Sequence, residues 1–320
     1  MNTSPTNLYV VVPCYNEEAV LKETASRLLR LFASMAEENL ICPQSRIIFV
    51  DDGSADATWE IIAGLSAGHQ AIGGVKLAHN AGHQSALLAG LMSVRGMCDC
   101  AVSIDADLQD DIDAIRQMVI RFQDGYDIVY GVRSERTTDT FFKRSTAQGF
   151  YKLMRLLGIN LVYNHADYRL MSSRALDALS QFDEVNLFLR GIVPLLGFRH
   201  CCVSYARAER FAGESKYPLK KMLSFAFDGI TSFTVSPIRA ITVLGGLSCL
   251  AAIVVGIYTL VQKILGHTVG GWASIMMSIW FIGGLQLMSL GLIGEYIGKI
   301  YKEVKHRPKY IIEEVRINEL

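Results

Sequence analysis

Short apolar runs alternate with segments of helical spacing along the first 130 residues of the chain. The short runs are bounded by turn-forming residues, as strands are, and they span residues 8–13, 46–50, 75–78, 101–104 and 127–131. Between them, apolar side chains recur every three or four positions, in residues 17–34, 56–65, 82–94 and 111–122. This alternation predicts an α/β domain in which helices cover both faces of a mostly parallel sheet.

Two long stretches in the second half of the chain carry no charged side chain. Residues 240–262 and 264–294 lack Asp, Glu, Lys and Arg, and Lys263 alone separates them. Each stretch exceeds the ~20 apolar residues that cross the hydrocarbon core of a bilayer. Two such runs in succession favour a transmembrane hairpin over a pair of helices buried in a soluble core.

Basic residues flank this predicted hairpin on both sides. Lys220, Lys221 and Arg239 precede it, and five further basic residues follow it, at positions 299, 302, 305, 307 and 309. Because membrane proteins retain Lys and Arg on the cytoplasmic side, we expect both termini to be cytoplasmic. The short turn between the two spans then lies on the far side of the membrane.

The same patterns predict four parts of the chain. They are a cytoplasmic α/β domain (1–215), an amphipathic helix (216–235), two transmembrane helices (236–298) and a cytoplasmic C-terminal tail (299–320). The amphipathic helix sets an apolar face beside two lysines. Such a helix lies at the membrane interface or packs on the domain as an ordinary surface helix, and the pattern leaves both possibilities open.

Composition excludes several classes of function. The 31 basic and 31 acidic residues cancel, so no general attraction to nucleic acid is expected. The seven cysteines include no C-x-x-C pair and indicate neither a disulfide framework nor a zinc site. The N-terminal residues show no basic segment followed by a long apolar run, so no secretory signal is predicted.

Polar residues follow the first two predicted strands. Residues 13–18 read PCYNEE, and residues 51–56 read DDGSAD. Acidic and amide groups at adjacent strand ends can hydrogen-bond a base and a ribose, and the ring of Tyr15 offers a face for stacking. The glycine motifs that cradle phosphates, G-x-G-x-x-G and G-x-x-x-x-G-K-[ST], are absent. A bound diphosphate would therefore need another neutralising group.

An acidic segment after the fourth predicted strand can supply that group. Asp105, Asp107 and Gln109 alternate along an extended segment, so their oxygen atoms can converge on one hard cation together with phosphate oxygens. The expected ion is Mg²⁺ or Mn²⁺. Asp110 and Asp111 are expected to cap the following helix instead.

These residues belong to a set of motifs that occur in order along almost the whole chain. The motifs are VVPCYNEE, VDDGSADAT, DADLQD, YGVR, ADYRLMS, RFAGESKY, GEYIGKIY and HRPKY. Through them the chain resembles the family 2 glycosyltransferases with the nucleotide-sugar-binding A-type fold. Among these it is similar to the polyprenyl-phosphate glycosyltransferases, and the last two motifs with the two-span hairpin resemble the bactoprenol branch in particular.

The resemblance implies roles for individual residues. The residues implied to hold the nucleoside of the donor are Pro13, Tyr15, Glu17 and Asp52. Those implied to hold the metal ion and the diphosphate are Asp105, Asp107 and Gln109.

The resemblance also places Asp167 near the reacting centre, as a general base. The residues themselves also allow Asp167 to orient the acceptor or to balance the metal ion and Arg169. A phosphate monoester with a second pKa near ~6 is mostly dianionic at neutral pH. Such a nucleophile needs no strong base. We therefore favour positioning over proton transfer for Asp167, and keep both as alternatives.

An anionic lipid head group that enters beside an acidic metal site needs compensating cations. The candidates are Arg133, Lys143, Arg144, Arg210 and Lys216. Arg133 and Arg210 fall within the matching motifs, whereas Lys143 and Arg144 also fit a solvated surface. Gly213 gives the segment around Lys216 the freedom of an active-site loop.

Together, these observations predict an inverting, metal-dependent enzyme of the bacterial inner membrane. It would transfer one sugar from a UDP-sugar to undecaprenyl phosphate at the cytoplasmic face. The resemblance favours glucose and implies a homotetramer, while galactose, an N-acetylhexosamine or a modified pentose remain alternatives. The missing Q-x-x-R-W motif argues against a processive polysaccharide synthase, and the intact acidic motif argues against an inactive membrane scaffold.

Overall fold

The computed structural model describes residues 4–107, 109–133, 165–185, 188–206, 236–265 and 271–317. The chain forms two compact units. The first comprises Met1–Arg155, Asn160–Pro218 and Arg307–Leu320, and the second comprises Leu156–Ile159 and Leu219–His306.

Several predicted features lie outside the described residues. They are Lys143, Arg144, Arg210, Lys216 and the amphipathic helix at 216–235. Their roles stay predictions from the sequence.

The first unit is built on one sheet, which has eight strands within the described residues. The strands are β1 (Leu8–Cys14), β2 (Arg46–Asp51), β3 (Ile72–Leu77), β4 (Cys100–Ser103), β5 (Ile128–Arg133), β6 (His165–Ser172), β7 (His200–Tyr205) and β8 (Ile312–Arg316). Their spatial order is β7-β5-β6-β4-β1-β2-β3-β8. The five strands predicted from apolar runs are confirmed as β1 to β5, within a few residues at each end.

Parallel pairing at the centre of the sheet brings the polar strand ends together. β1 lies between β2 and β4 and runs parallel to both, so Cys14 at the end of β1 lies beside Asp51 at the end of β2. β6 is inserted antiparallel between β4 and β5, and its residue Arg169 lies opposite Ser103. The start of β6 therefore lies at the same end of the sheet as the carboxyl ends of the parallel strands.

Helices pack on both faces of the sheet, as predicted. They are α1 (Leu21–Glu37), α2 (Thr58–Gly68), α3 (His83–Ser93), α4 (Ala114–Gln123), α5 (Ser173–Leu179) and α6 (Leu189–Leu195). Val10 and Val12 face the cluster formed with α1 and α4. Because side chains alternate along a strand, Val11 faces the other way, toward α3. There a β-carbon on Gly90 would lie 2.5 Å from the side chains of Val11 and Val50.

The strand β8 closes one edge of the sheet and was not predicted. It pairs antiparallel with β3, with Val315 opposite Val75. Lys76 forms a 3.2 Å ion pair with Glu313. The ring of Trp59 contacts the charged groups of Lys76 and Arg316 at 5.9 and 5.6 Å. The C-terminal segment thus covers the unpaired edge that β3 would otherwise present.

The second unit contains two long helices, α7 (Ser236–Ile264) and α8 (Trp272–Val304). Among the described residues, Phe281–Val304 within α8 is long and apolar enough to cross a membrane, and α7 carries a shorter apolar run, Ile241–Val255. Apolar side chains of α8 are largely exposed, at 72% for Leu287 and 70% for Phe281. The predicted pair of spans is therefore supported for α8 and only partly for α7.

Candidate active site

The loops that follow β1 and β2 are joined by hydrogen bonds. The backbone N–H of Asn16 donates to Oγ of Ser54 at 3.0 Å, and the N–H of Ala55 donates to Oδ1 of Asn16 at 2.9 Å. The N–H of Glu17 donates to Oγ1 of Thr58 at 2.9 Å. The side chain of Tyr15 stays exposed at the end of β1. The two loops are thus joined on either side of the exposed Tyr15, at the carboxyl end of β1.

Asp52 organises the next loop along the edge. Its Oδ1 accepts a hydrogen bond from the N–H of Ala81 at 2.7 Å, and its Oδ2 accepts one from the N–H of Gly82 at 3.0 Å. Burial raises the pKa of the Asp52 carboxyl, and these two hydrogen bonds oppose the shift. Asp52 therefore shapes the turn into α3.

The neighbouring carboxylate, Asp51, is fully buried. Its Oδ1 accepts from the N–H of Ser54 at 3.2 Å. Its Oδ2 has no hydrogen-bond partner among the described residues. Burial raises the pKa of Asp51. At the end of β2, Asp51 therefore carries a carboxylate oxygen without a hydrogen-bond partner among the described residues. No role was predicted for Asp51 from the sequence.

The acidic loop after β4 is anchored from α1. The hydroxyl of Thr24 donates to the carbonyl of Ala106 at 2.9 Å. In the loop, Oδ1 of Asp107 accepts from the N–H of Gln109 at 3.2 Å, and Gln109 is buried. The Asp105 side chain retains 41% of its exposure. Part of the Asp105 side chain is therefore exposed to solvent, and protein atoms surround the rest.

Negative charge accumulates around Asp105. Enclosure by the surrounding protein raises the pKa of its carboxyl, the charge of His83 opposes the shift, and the carboxylates of Asp110, Asp167 and Asp107 add to it. Within the described part of the chain, no three His, Cys, Asp or Glu side chains are grouped closely enough to form a complete metal site.

The prediction that Asp110 caps the following helix was wrong, because α4 begins at Ala114 and its N-cap residue is Asp113. The residue is buried, and its Oδ1 accepts a hydrogen bond of 2.8 Å from the hydroxyl of Tyr205. The guanidinium of Arg133 lies 3.8 Å from the same oxygen, and its Nε donates to the Tyr205 hydroxyl at 3.4 Å. The parallel pairing of β5 with β7 sets Arg133 opposite Tyr205 and brings both groups to Asp110, and no local pattern shows this.

Asp111 is not the N-cap residue of α4 either, because that position is occupied by Asp113. Its Oδ1 accepts from the N–H of Asp113, directly before α4, at 3.0 Å. Its carbonyl accepts a hydrogen bond of 2.9 Å from the hydroxyl of Tyr168. The Tyr168 and Tyr205 rings pack edge to face, 5.1 Å apart. Two tyrosines therefore hold the acidic loop from within the sheet.

Asp167, near the start of β6, lies between two arginines. Nη2 of Arg169 lies 2.6 Å from its Oδ1, and Nη2 of Arg190, on α6, lies 3.0 Å from its Oδ2. Burial would raise the pKa of Asp167, but the positive charges of Arg190 and Arg169 hold it well below its usual range. Asp167 is therefore a weak base that binds the guanidinium groups of Arg169 and Arg190.

His83 connects the two acidic sites. Its Nε2 lies 3.5 Å from Oδ1 of Asp105 and 3.8 Å from Oδ2 of Asp167. The residue begins α3, and its side chain is 46% exposed. The His83 imidazole thus lies between Asp105 of the acidic loop and the arginine-bound Asp167.

Comparison with known families identifies the chain. Residues 9–180, more than half of the chain, match the family described as Glycosyl transferase family 2. The chain belongs to glycosyl transferase family 2. Residues 236–300 match a second family, described as GtrB C-terminal hairpin. This match covers α7 and the residues of α8 up to position 300.

Curated relatives of this family 2 glycosyltransferase match over nearly the full length. The "Uncharacterized glycosyltransferase YkoT" of Bacillus subtilis (strain 168) is 58% identical over 98% of this chain and 93% of its own length. The "Prophage bactoprenol glucosyl transferase homolog" of Escherichia coli (strain K12) is 38% identical over 96% of this chain and 98% of its own. The "Bactoprenol glucosyl transferase" of Shigella phage SfV is 38% identical over 95% and 97%.

A solved structure, the "Mannosyltransferase PcManGT from Pyrobaculum calidifontis in complex with GDP-Man and Mn2+", matches 92% of this chain and 88% of its own. The identity is 14% and the TM-score is 0.46. A likeness of this size assigns no ligand to the present enzyme.

The enzyme's predicted site residues fall at one sheet edge wherever the structure describes them. They are Pro13, Tyr15, Glu17, Asp52, Asp105, Asp107, Gln109, Arg133 and Asp167. Sequence reasoning missed His83, Arg190 and Tyr205. His83 lies at the start of the helical segment predicted at 82–94, just after the third predicted strand, a position that could have marked it. Arg190 and Tyr205 carry no local signal.

Proposed function

We propose that this glycosyltransferase moves a single sugar from a UDP-sugar to undecaprenyl phosphate. The carrying observation is the position of His83 between Asp105 and Asp167. This supports the proposal, because the acidic loop suits a metal-bound diphosphate and the neighbouring arginines suit a second anion. Two relatives named as bactoprenol glucosyl transferases are similar to this chain over nearly its full length. Glucose is the proposed sugar for the same reason.

The donor set of the acidic loop fits Mg²⁺ or Mn²⁺. It consists of two carboxylates and one amide, and hard divalent cations prefer oxygen ligands. Enclosure by the protein, with a contribution from neighbouring carboxylates, raises the pKa of Asp105, and a bound cation would stabilise the charged form of this carboxyl. Asp105, Asp107 and Gln109 would hold the ion, and the donor diphosphate would complete its ligands. Such an ion stabilises the charge that develops on a departing diphosphate.

The remaining residues bind and orient the substrates. Tyr15 would stack on the base, while Pro13, Glu17 and Asp52 would shape its pocket. Asp167 would orient the acceptor through the arginines that it holds. Its lowered pKa makes it a poor proton acceptor, and a lipid phosphate with a second pKa near ~6 is already ionised at neutral pH.

The proposed reaction is one displacement at the anomeric carbon. An oxygen of the lipid phosphate forms the new bond to that carbon while the bond to the donor diphosphate breaks, and UDP leaves with the electron pair. Attack from the face opposite the leaving group inverts the configuration. An α-linked UDP-glucose would therefore give a β-linked lipid product.

The membrane helices favour catalysis at the cytoplasmic face. Lysines and arginines flank the hairpin on both sides, and such residues stay on the cytoplasmic side. A reporter fused after Leu320 should then be cytoplasmic, and a tag inserted near His267 should be reachable from outside. Export of the C-terminal reporter together with a protected tag would show the reverse orientation.

The test is an assay of the purified protein in detergent with undecaprenyl phosphate and a panel of nucleotide sugars. We expect lipid-linked glucose and release of UDP, with NMR showing the inverted configuration. Transfer of a different sugar from the panel would support the proposed reaction and change only the donor assigned to it. Absence of transfer with every donor would favour an inactive scaffold, and a retained configuration would rule out the single displacement.

A further inference from the structure

The HRPKY motif, residues 307–311, has no part in the proposed reaction, yet it makes two attachments within the first unit. Nζ of Lys309 donates to the carbonyl oxygen of Phe182, in the segment that follows α5, at 2.7 Å. The carbonyl of Ile311 accepts a hydrogen bond of 2.9 Å from the N–H of Ala78, directly after β3. The motif therefore joins two segments that lie far apart in the sequence.

Both of these segments lead into the candidate active site. From Ala78 the chain passes through one turn to His83, at the start of α3. From Phe182 it continues to α6, which carries Arg190. His83 and Arg190 lie 3.8 and 3.0 Å from the same oxygen of Asp167, its Oδ2. The motif is thus bonded to the two segments whose following helices bring these groups to Asp167.

The helices α3 and α6 are also joined directly, at Leu189. Its N–H donates to Oε1 of Gln84, on α3, at 3.0 Å, and its carbonyl accepts from Nη1 of Arg169 at 3.3 Å. These bonds fix the first residue of α6, and Lys309 fixes the segment that precedes the helix. Arg190 follows Leu189 directly, so its position depends on both attachments.

The position of Lys309 differs from the one its sequence context suggests. The pattern assigns Lys309 to the basic flank of the hairpin, where a lysine keeps its charge on the cytoplasmic side of the membrane. In the structure its ammonium group is directed at a backbone carbonyl of the α/β domain. Hydrogen bonds from a charged donor are roughly twice as strong as those between neutral groups. Lys302, on the same flank, is exposed.

We infer that Lys309 is a positioning residue for the transfer reaction, because its bond to the Phe182 carbonyl sets the place of Arg190 relative to His83. This inference rests on the proposed function and adds no substrate subsite to it. Lys309 acts through the backbone of the segment before α6. A displacement of about 1 Å caused far from the chemistry can lower a rate about 100-fold, so a contact at this distance can govern turnover.

The first test compares Lys309→Met with Lys302→Met, since each removes one charge from the same flank of the hairpin. Lys309→Met should lower kcat about 10-fold or more. The KM for the UDP-sugar should stay near the wild-type value, because other contacts hold the loops after β1 and β4. Lys309→Arg keeps a charged donor and should recover most of the lost kcat, and Lys302→Met should match the wild type.

Rates are expressed per folded protein, so that a purely structural role, which lowers only the melting temperature, leaves kcat unchanged. An unchanged kcat in Lys309→Met would overturn the inference. A loss of equal size in Lys302→Met, or no recovery in Lys309→Arg, would overturn it as well.

Hydrogen exchange followed by mass spectrometry tests the same inference without donor or acceptor. In Lys309→Met, peptides that cover residues 180–185 and Leu189 should exchange faster than in the wild type, while those of β1 should exchange at the same rate. This result in a protein that transfers no sugar would count against the proposed function and leave the positioning of α6 intact. A wild-type rate at Leu189, or faster exchange throughout β1 as well, would overturn the inference.

Discussion

The hydroxyl of Tyr205 donates a hydrogen bond of 2.8 Å to the buried carboxylate of Asp110, a residue 95 positions earlier in the chain. Tyr168 supports the same loop through its 2.9 Å hydrogen bond to the carbonyl of Asp111. The loop that carries Asp105 and Asp107 is therefore positioned from β6 and β7. Its geometry depends on strands that form far along the sequence.

Tyr205→Phe should impair this loop without removing a substrate ligand. Loss of a hydrogen bond to a buried carboxylate costs about 1.5–3 kcal/mol, so the free energy of unfolding should fall. The concentration of Mg²⁺ or Mn²⁺ needed for half-maximal activity should also rise. Tyr9→Phe, near the amino end of β1, is the control and should leave the metal requirement unchanged. An unchanged requirement in Tyr205→Phe would show that Asp110 does not position the loop.

Activity should require a divalent cation held by the acidic loop. Treatment with a chelator should abolish transfer, and added Mg²⁺ or Mn²⁺ should restore it. Asp107→Asn should need far more metal than the wild type, because it lacks one of two carboxylate ligands. Asp113→Asn, in the turn before α4, is the control. Full activity of Asp107→Asn in the presence of chelator would show that transfer needs no divalent cation at this loop.

Asp167→Asn should reduce stability and leave the shape of the pH profile intact. The substitution leaves the buried Arg169 without its carboxylate, and breaking a buried pair costs about 3–5 kcal/mol. The carboxyl's lowered pKa keeps it ionised well below neutral pH, so it cannot produce an acidic limb near pH ~6. That limb should come from the lipid phosphate and appear in both proteins. Its disappearance only in Asp167→Asn would identify Asp167 as the general base.

Asp127→Asn should destabilise the protein in a pH-dependent manner. Arg174 bonds both oxygens of Asp127 and thereby lowers its pKa, and Ser172 donates to Oδ1 at 3.0 Å. A carboxyl with a lowered folded pKa stabilises the fold above its unfolded value of about 3.9. This stabilisation is lost as pH falls through the folded pKa.

Thermal melting at several pH values tests this prediction. The difference between wild type and Asp127→Asn should be largest near neutral pH, where a cost of about 2 kcal/mol is expected, and should shrink below pH ~4. Asp124→Asn removes a more exposed partner of Arg121 and should change little. A difference that grows on acidification would contradict the assignment of the lowered pKa.

Deletion of residues 307–320 should destabilise the first unit. It removes β8, the Lys76–Glu313 ion pair and the contact of Arg316 with Trp59, and it exposes the edge of β3 to other chains. A lower melting temperature and increased aggregation are expected, by scanning fluorimetry and light scattering. Deletion of residues 318–320 alone leaves β8 intact and serves as the control. Equal stability of the two deletions would show that β8 adds nothing to the sheet.

The sequence by itself predicted the elements whose cause is local. Apolar runs identified β1 to β5, helical spacing identified α1 to α4, and the charge-free stretches identified α7 and α8. Asp105, Asp107 and Gln109 could be proposed as one site because alternate residues of an extended segment face one side. Tyr15 and Asp52 could be placed beside them because parallel strands end at the same edge.

Only the tertiary structure decided which distant residues complete that edge. The antiparallel insertion of β6 places Asp167 next to the acidic loop, and β7 brings Tyr205 under Asp110, which local pattern had suggested was a helix cap. Arg190 reaches Asp167 from α6, and His83 reaches it from α3. These contacts depend on pairing and packing between residues far apart in the chain. The periodicity of a single segment records which face is buried, but not the partner against which that face is buried.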